Sequence, residues 1–285
     1  MNEQPFCWPN GKRIAITIMV LLETWSEGKG PPYSVQTTSL KPGTIDNSSI
    51  AWGQYGGNEG IWRILRILDH FKAPGTFCPN ARSAEVYPDA ITQAARTGHE
   101  IAGHGYLQDQ LMVYLERDEE RATIRRSLDI LEKLTGQRPK GWASPVLAWS
   151  KDTYELLAAE GLLWHGEAKD ISLPQRIKTP SGSLIALPVS DFADNRVLRA
   201  SPRDYYDVYK DTFDYLYQRE PMSMLPLALH AHWGGRPLMA AAFWKIMEYI
   251  SQFPDVWFAR SVDIAQWAID QKVDSVPYAR RFFQQ

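Results

Sequence analysis

The run Ile14-Ala15-Ile16-Thr17-Ile18-Met19-Val20-Leu21-Leu22 constrains the fold more than any other stretch of the chain. It has no polar face, so it cannot lie on a sheet with one side in water. A strand buried on both faces satisfies it, and such strands are the habit of parallel sheets covered by helices. The run is too short to cross a membrane as a helix. Lys12-Arg13 ahead of it resembles the start of a secretory signal, but the run passes directly into Glu23-Thr24-Trp25 with no small-residue cleavage site. The expectation is a first buried strand in a cytoplasmic protein.

Further along, short apolar runs alternate with amphipathic stretches. Thr76-Phe77-Cys78, Glu100 to Ala102, Lys140 to Ser144, Leu162-Leu163-Trp164, Leu184 to Val189, Pro226 to Leu229 and Val256-Trp257-Phe258 read as strands. Between them the spacing predicts helices. One is capped by Asn58 and carries Ile61, Leu65 and Leu68; another starts near Pro88 and ends at Gly98. Asp118 opens a long one stopped by Thr135-Gly136, and Ser150 caps one ending at Gly161. Ser201-Pro202 and Pro237 open two more, and Ser261 caps the last. Pro180-Ser181-Gly182 reads as a turn between extended pieces. This alternation predicts an α/β fold with a parallel sheet and about seven strand–helix repeats, close to a TIM-like barrel. No linker divides the chain, so a single domain over residues 1–285 is expected. The segment Ser26 to Tyr55 has no period and reads as a long functional loop or an oligomer contact.

The formal net charge of −2 and pI near 6.3 leave no electrostatic footprint for nucleic acid, and no polybasic run suits a membrane surface. Cys7 and Cys78 lie far apart, outside any metal-ligand spacing, and read as free thiols.

In parallel α/β folds, chemistry gathers at the C-terminal ends of strands. Glu23 ends the first run, His104 sits between Gly103 and Gly105 after the third, and His230 ends the Pro226 run. A lone His at a strand end is more often a structural hydrogen-bonding group. A carboxylate and two imidazoles converging on one rim instead suit hydrolysis: one group takes a proton from water and another donates one or steadies an oxyanion. Residue types alone do not order the roles among the three. Asp191, after the Leu184 strand, is a fourth candidate, equally readable as an exposed loop carboxylate. Arg236 offers a planar fork for a substrate carbonyl or carboxylate, or a surface ion pair. His232 shares a face with His230 if the strand continues. Trp25, Tyr106 and Trp233 adjoin these stretches and offer pocket walls, though core packing is the commoner fate of such rings. His99 precedes its strand and belongs to the opposite end.

These stretches, in this order, resemble the polysaccharide deacetylase superfamily. The matching pieces are Leu21-Leu22-Glu23-Thr24, His104-Gly105-Tyr106-Leu107-Gln108, Arg138-Pro139 and Leu227-Ala228-Leu229-His230. Within it, the chain is similar to the branch of metal-independent allantoinases and cyclic imide hydrolases. Trp62-Arg63, Gly98 to Gly105, Leu134 to Trp142, Leu173-Pro174, Asp191 with Asp194 and Arg196, and Gly235-Arg236-Pro237 carry that likeness, over about residues 10 to 270.

The resemblance implies a deformed (β/α) barrel, a hydrolase of carbon–nitrogen bonds other than peptide bonds, and a homo-oligomer, dimeric or tetrameric. The segment Ser26 to Tyr55 and the tail Phe282-Phe283 are compatible with interface use. The superfamily's zinc site would take an acidic residue where this chain has Thr24, and two His where it has His104 and Gln108. A hydroxyl and an amide replace two of three donors, so no cofactor is expected, and a zinc ion would have to take Glu23, with His99 or His230, in their place. Residues His165-Gly166-Glu167 and Ser172 stand where the branch tends to be acidic, which leaves the substrate open. The expected reaction opens a cyclic amide, imide or ureide. The alternatives are a metal-dependent N-deacetylase of an acetylated sugar or peptidoglycan, and a catalytically silent binding protein on the same fold.

Overall fold

The apolar run becomes the central strand, β1 (Ile14–Leu22). In the computed structural model, which describes residues 7–34, 40–41 and 43–283, both its edges are paired. The early half pairs with β9 (Val256–Ala259), the later half with β2 (Thr76–Pro79), and nearly the full length with β8 (Ser223–His230), all parallel. β2 pairs with β3 (Glu100–Ile101). A parallel bridge from Gly103 to Trp142 carries the sheet on to β4 (Gly141–Trp142), and then to β5 (Trp164–Ala168) and β7 (Gly182–Pro188). β6 (Gln175–Thr179) is an antiparallel edge strand on β7, joined through the expected Pro180 to Gly182 turn. Among the described residues no ladder joins β7 to β8, so the (β/α) barrel is open there.

The pleat of β1 sorts its side chains into two cores. Ile14, Ile16, Ile18 and Val20 face outward against the helices Ile61–Phe71, Pro202–Arg219 and Pro237–Ile250. Ala15 faces inward with Cys78, Ala102, Ala143, Trp164, Ile185 and Met224, each from a different strand or strand end. Small residues on most strands make room for the indole of Trp164, whose Nε1 donates to Glu100 Oε1 at 2.8 Å. Among the described residues no helix is long and apolar enough to cross a membrane.

Several boundaries differ from the sequence expectations. The segment Ser26 to Tyr55 is not all loop: Asn47–Tyr55 is a helix, capped by Asp46, whose side chain accepts from Ser49 N–H at 3.0 Å. Residues 35–39 and 42 of that segment lie outside the described residues. The helix hid because its buried face is Ser49, Trp52 and Gly53, which carries no apolar period. It runs on through a π-helical turn, Gly56–Gly60, so Asn58 is interior rather than a cap. Ser150 lies two residues before the N-cap Asp152, and its Oγ accepts from Asp152 N–H at 3.0 Å. β5 starts at Trp164, later than expected, because Leu162 turns into the outer layer with Trp142 and Leu184. The helix Ser261–Asp270 starts from Arg260 and is not the last; Tyr278–Phe282 follows.

Candidate active site

Four strand ends build the site. β1 delivers Glu23, β3 delivers His104, and β8 delivers His230, as the sequence predicted. Asn80, at the end of β2, ties them together: its Oδ1 accepts from Thr24 N–H at 3.0 Å, and its Nδ2 donates to the His104 carbonyl. Glu23 is 4 % exposed, His104 2 % and His230 7 %. Glu23 Oε1 lies 3.8 Å from His104 Nε2 and 3.7 Å from His230 Nε2, so one carboxylate oxygen faces both rings. These separations exceed direct hydrogen-bond range. The second oxygen accepts from Tyr33 OH at 3.2 Å and lies 3.7 Å from His232 Nδ1.

Each ring is held by its other nitrogen. His104 Nδ1 faces the Ala143 carbonyl at 2.7 Å, which only accepts, so Nδ1 carries the hydrogen. In the neutral ring, Nε2 is then a free lone pair, and it has no protein partner. His230 Nδ1 donates to Asp194 Oδ1 at 2.6 Å, while Asp194 Oδ2 accepts the His230 backbone N–H at 2.8 Å. Burial disfavours the imidazolium, but the carboxylates of Asp194 and Glu23 outweigh it and push His230 up to about 9. Burial likewise disfavours ionised Glu23; facing the His230 charge, with His104 beside it, its carboxyl is nevertheless held at about 2. His232 goes the other way. It is buried and ringed by Trp25, Tyr33 and Trp52, and desolvation lowers it to about 3, so it is neutral near pH 7. The resting site is a carboxylate–imidazolium pair, Glu23 and His230, with the neutral ring of His232 beside it.

A cleft of about 590 Å³ opens onto Glu23, walled by Thr24, Trp25, Tyr87, Tyr106 and Leu107. Trp25 stands edge-on to His232 at 5.5 Å, and Tyr106 forms the rim, its hydroxyl donating to Glu85 Oε2 at 3.1 Å. These two occupy the places expected of pocket walls. Gln108, next after Leu107, is 7 % exposed and its Oε1 has no partner. A second depression, of about 510 Å³, lies by His99 and Asp69, away from these strand ends. His99 Nδ1 accepts from Gly75 N–H at 3.0 Å there, in keeping with its expected place at the opposite strand end.

Three sequence candidates lie elsewhere. Asp191 is a loop carboxylate with its side chain 87 % exposed, 4.0 Å from Lys169. The acidic partner of the site is Asp194, three residues on, which the turn Asp194–Val197 brings back beneath β8. Trp233 and Arg236 face away because the chain turns into a short helix, Ala231–Gly234, directly after His230. Trp233 is buried, its Nε1 donating to Asp194 O at 2.9 Å. Arg236 donates to the carbonyls of His232 at 3.0 Å and Trp52 at 3.3 Å, so its fork is spent on backbone. The same turn brings His232 to Glu23, where a continued strand was expected. Tyr33 and Asn80 were missed; a Tyr in an aperiodic loop and an Asn after a strand carry no sequence signal of their own.

Two of the three positions where the resemblance would put zinc ligands lack a strong donor in this chain. At the two replaced positions, the Thr24 hydroxyl is hydrogen-bonded to Ser83 Oγ at 2.8 Å and Gln108 offers a neutral amide. Among the described residues no group of three or more His, Cys, Asp or Glu is arranged to hold a metal ion. A carboxylate and two imidazoles at the C-terminal rim of an open (β/α) barrel are groups that suit a hydrolytic site.

The comparisons with known proteins agree with that reading. The polysaccharide deacetylase family model matches residues 44–163. A crystal structure of Puue allantoinase superposes with a TM-score of 0.84 at 30% identity, over 94% of each chain. A probable polysaccharide deacetylase from Pseudomonas aeruginosa PAO1 gives 0.82 at 28% identity, over 98% of this chain and 95% of that one. The peptidoglycan deacetylase of Helicobacter pylori is 24% identical over 76% of this chain and 86% of that protein. The chain belongs to the polysaccharide deacetylase superfamily, in its allantoinase-like branch. It is thereby an enzyme of the class that hydrolyses carbon–nitrogen bonds other than peptide bonds.

Proposed function

We propose that this enzyme opens a cyclic amide, imide or ureide without a metal ion. The observation that carries this reading is the pairing of ionised Glu23 with an imidazolium at His230, 3.7 Å apart, where the zinc donors are replaced. Glu23 Oε1 and His104 Nε2 both accept, so a water donating to them presents its lone pair to the cleft. Glu23 takes a proton from the water as its oxygen bonds to the ring carbonyl. The C–N bond then breaks, and His230 Nε2 gives its proton to the departing nitrogen. A carboxylate held at about 2 is a weak base at rest. It strengthens as His230 begins to share its proton with the substrate during the attack, so the two transfers are coupled. The proton on Glu23 then returns across the gap to His230, and the site is reset.

The leaving group decides between substrates. An imide or ureide nitrogen delocalises its charge into a second carbonyl, so its departure needs less electrophilic help than that of an N-acetyl amine. Amide geometry points the same way. A ring amide is cis, with N–H and C=O on one edge, and the carboxamide of Gln108, whose Oε1 has no partner, matches that edge with one donor and one acceptor. An N-acetyl group is trans and cannot present both to one carboxamide.

The test is hydrolysis of cyclic ureides and imides, set against an N-acetylated sugar, by chelator-treated protein. Ring opening that survives the chelator supports the proposal. Activity on the acetylated sugar alone, restored by zinc, overturns it in favour of a deacetylase such as those named among the relatives.

A further inference from the structure

We propose that Glu167 is a positioning residue that locks His104 through the Ala143–Ser144 peptide group. The inference rests on the placement of His104 in the proton-transfer cluster. The carbonyl of Ala143 and the N–H of Ser144 are the two ends of one peptide. Its oxygen accepts from His104 Nδ1 at 2.7 Å, and its N–H donates to Glu167 Oε1. A carboxyl oxygen drawing on the N–H polarises the peptide and makes its oxygen a better acceptor. The imidazole is thereby held in one tautomer and one orientation, with Nε2 facing Glu23.

Glu167 does this from outside the cleft. On β5, Trp164 points into the inner core, so Glu167 and His165 point to the outer layer, where Tyr154 stacks on His165 at 4.0 Å. Glu167 is fully buried, and its Oε2 has no partner; His165 Nδ1 lies 3.9 Å away. A buried carboxyl with one oxygen unspent is costly to keep. The peptide it grips leads into a strained turn. Val146 and Leu147 both adopt left-handed backbone, at φ 52° and 55°, a conformation non-glycine residues rarely adopt and β-branched Val146 tolerates least. Without an anchor, relaxation of that turn would rotate the Ala143 carbonyl away from His104.

The test uses the full chain and needs no substrate. Nitrogen NMR of ¹⁵N-histidine-labelled protein reads the His104 tautomer in wild type, Glu167→Gln and Glu167→Leu. The expected result is one tautomer, hydrogen on Nδ1, in wild type and in the Gln variant, which keeps an acceptor. The Leu variant should show a mixture. Once a substrate is in hand, the Leu variant should lose about tenfold in kcat with KM unchanged, and the Gln variant should recover most of it. A folded Leu variant that keeps the single tautomer overturns the proposal, as does a Gln variant that loses it. Wild type gives a further check that holds even if the Leu variant fails to fold. Its Ser144 amide should resist hydrogen exchange despite lying at a turn, and exchange at the rate of an exposed loop overturns the proposal. Failure of every ring substrate would leave these NMR outcomes standing and would count against the proposed reaction alone.

Discussion

Asp194→Asn removes one charge from beneath His230 and keeps the shape of the side chain. In the wild type His230 rises from 6.5 to about 9, with burial opposing and Asp194 the larger of the two carboxylate effects. At about 1.4 kcal/mol per pH unit, that rise corresponds to about 3 kcal/mol of preference for the imidazolium in the folded state. A histidine whose folded pKa is raised contributes that stability fully below pH 6.5 and loses it as the pH climbs to about 9. The Asn variant forfeits most of it. It also gives up the charge-assisted contact to the His230 N–H, a loss of about 1–3 kcal/mol that is independent of pH. Guanidinium unfolding of both proteins at pH 6 and pH 9.5 separates the two effects. The stability gap should be larger at pH 6 by up to about 3 kcal/mol and should shrink at pH 9.5 to the hydrogen-bond part. NMR titration should place wild-type His230 near 9 and the variant well below it. A gap that does not change with pH, or a wild-type His230 titrating near 6.5, would refute the charge-pair argument.

Three further outcomes are expected. Gln108→Leu should raise KM for a ring substrate about tenfold while leaving Tm unchanged or higher, since the buried amide it removes has its Oε1 unpaired. Thr24→Asp combined with Gln108→His restores two zinc donors beside His104, and calorimetry should detect tight zinc binding that the wild type lacks. Gly60→Ala would place a methyl 1.9 Å from the Ala231 carbonyl, next to His232; it should cost about 1–3 kcal/mol, seen as a lowered Tm, and shift the His232 resonances.

The parts of the fold legible in the sequence were those with strong periodicity. β1 declared itself through unbroken apolar character, and the long helix Arg117–Thr135 through its stripe of Ile124, Leu128 and Leu131. The helix Asn47–Tyr55 did not, because it buries Ser49 against Gly30 and Gly53 against Pro31 and Trp25, contacts made only after folding. The site followed the same division. Glu23, His104 and His230 were legible because strand ends converge in a parallel barrel. Asp194 sits 36 positions before its partner His230, and only the turn after β7 makes them neighbours. Asp191, nearer the strand, was the natural carboxylate to choose from sequence, and the chain turns it outward. Arg236 and Trp233 were misplaced for one shared reason: the helix that follows His230 reverses the face that a continued strand would show.

The proposed reaction turns on Glu23 acting as the base at a site without metal. The most direct measurement is kcat of chelator-treated wild type and Glu23→Gln side by side on the best ring substrate, with circular dichroism to confirm equal folding. The expected result is full wild-type turnover after chelation and a loss of about 10²–10⁴-fold in the variant, the range for a general base. A variant within a few-fold of wild type, or a wild type silenced by the chelator and revived by zinc, would contradict it.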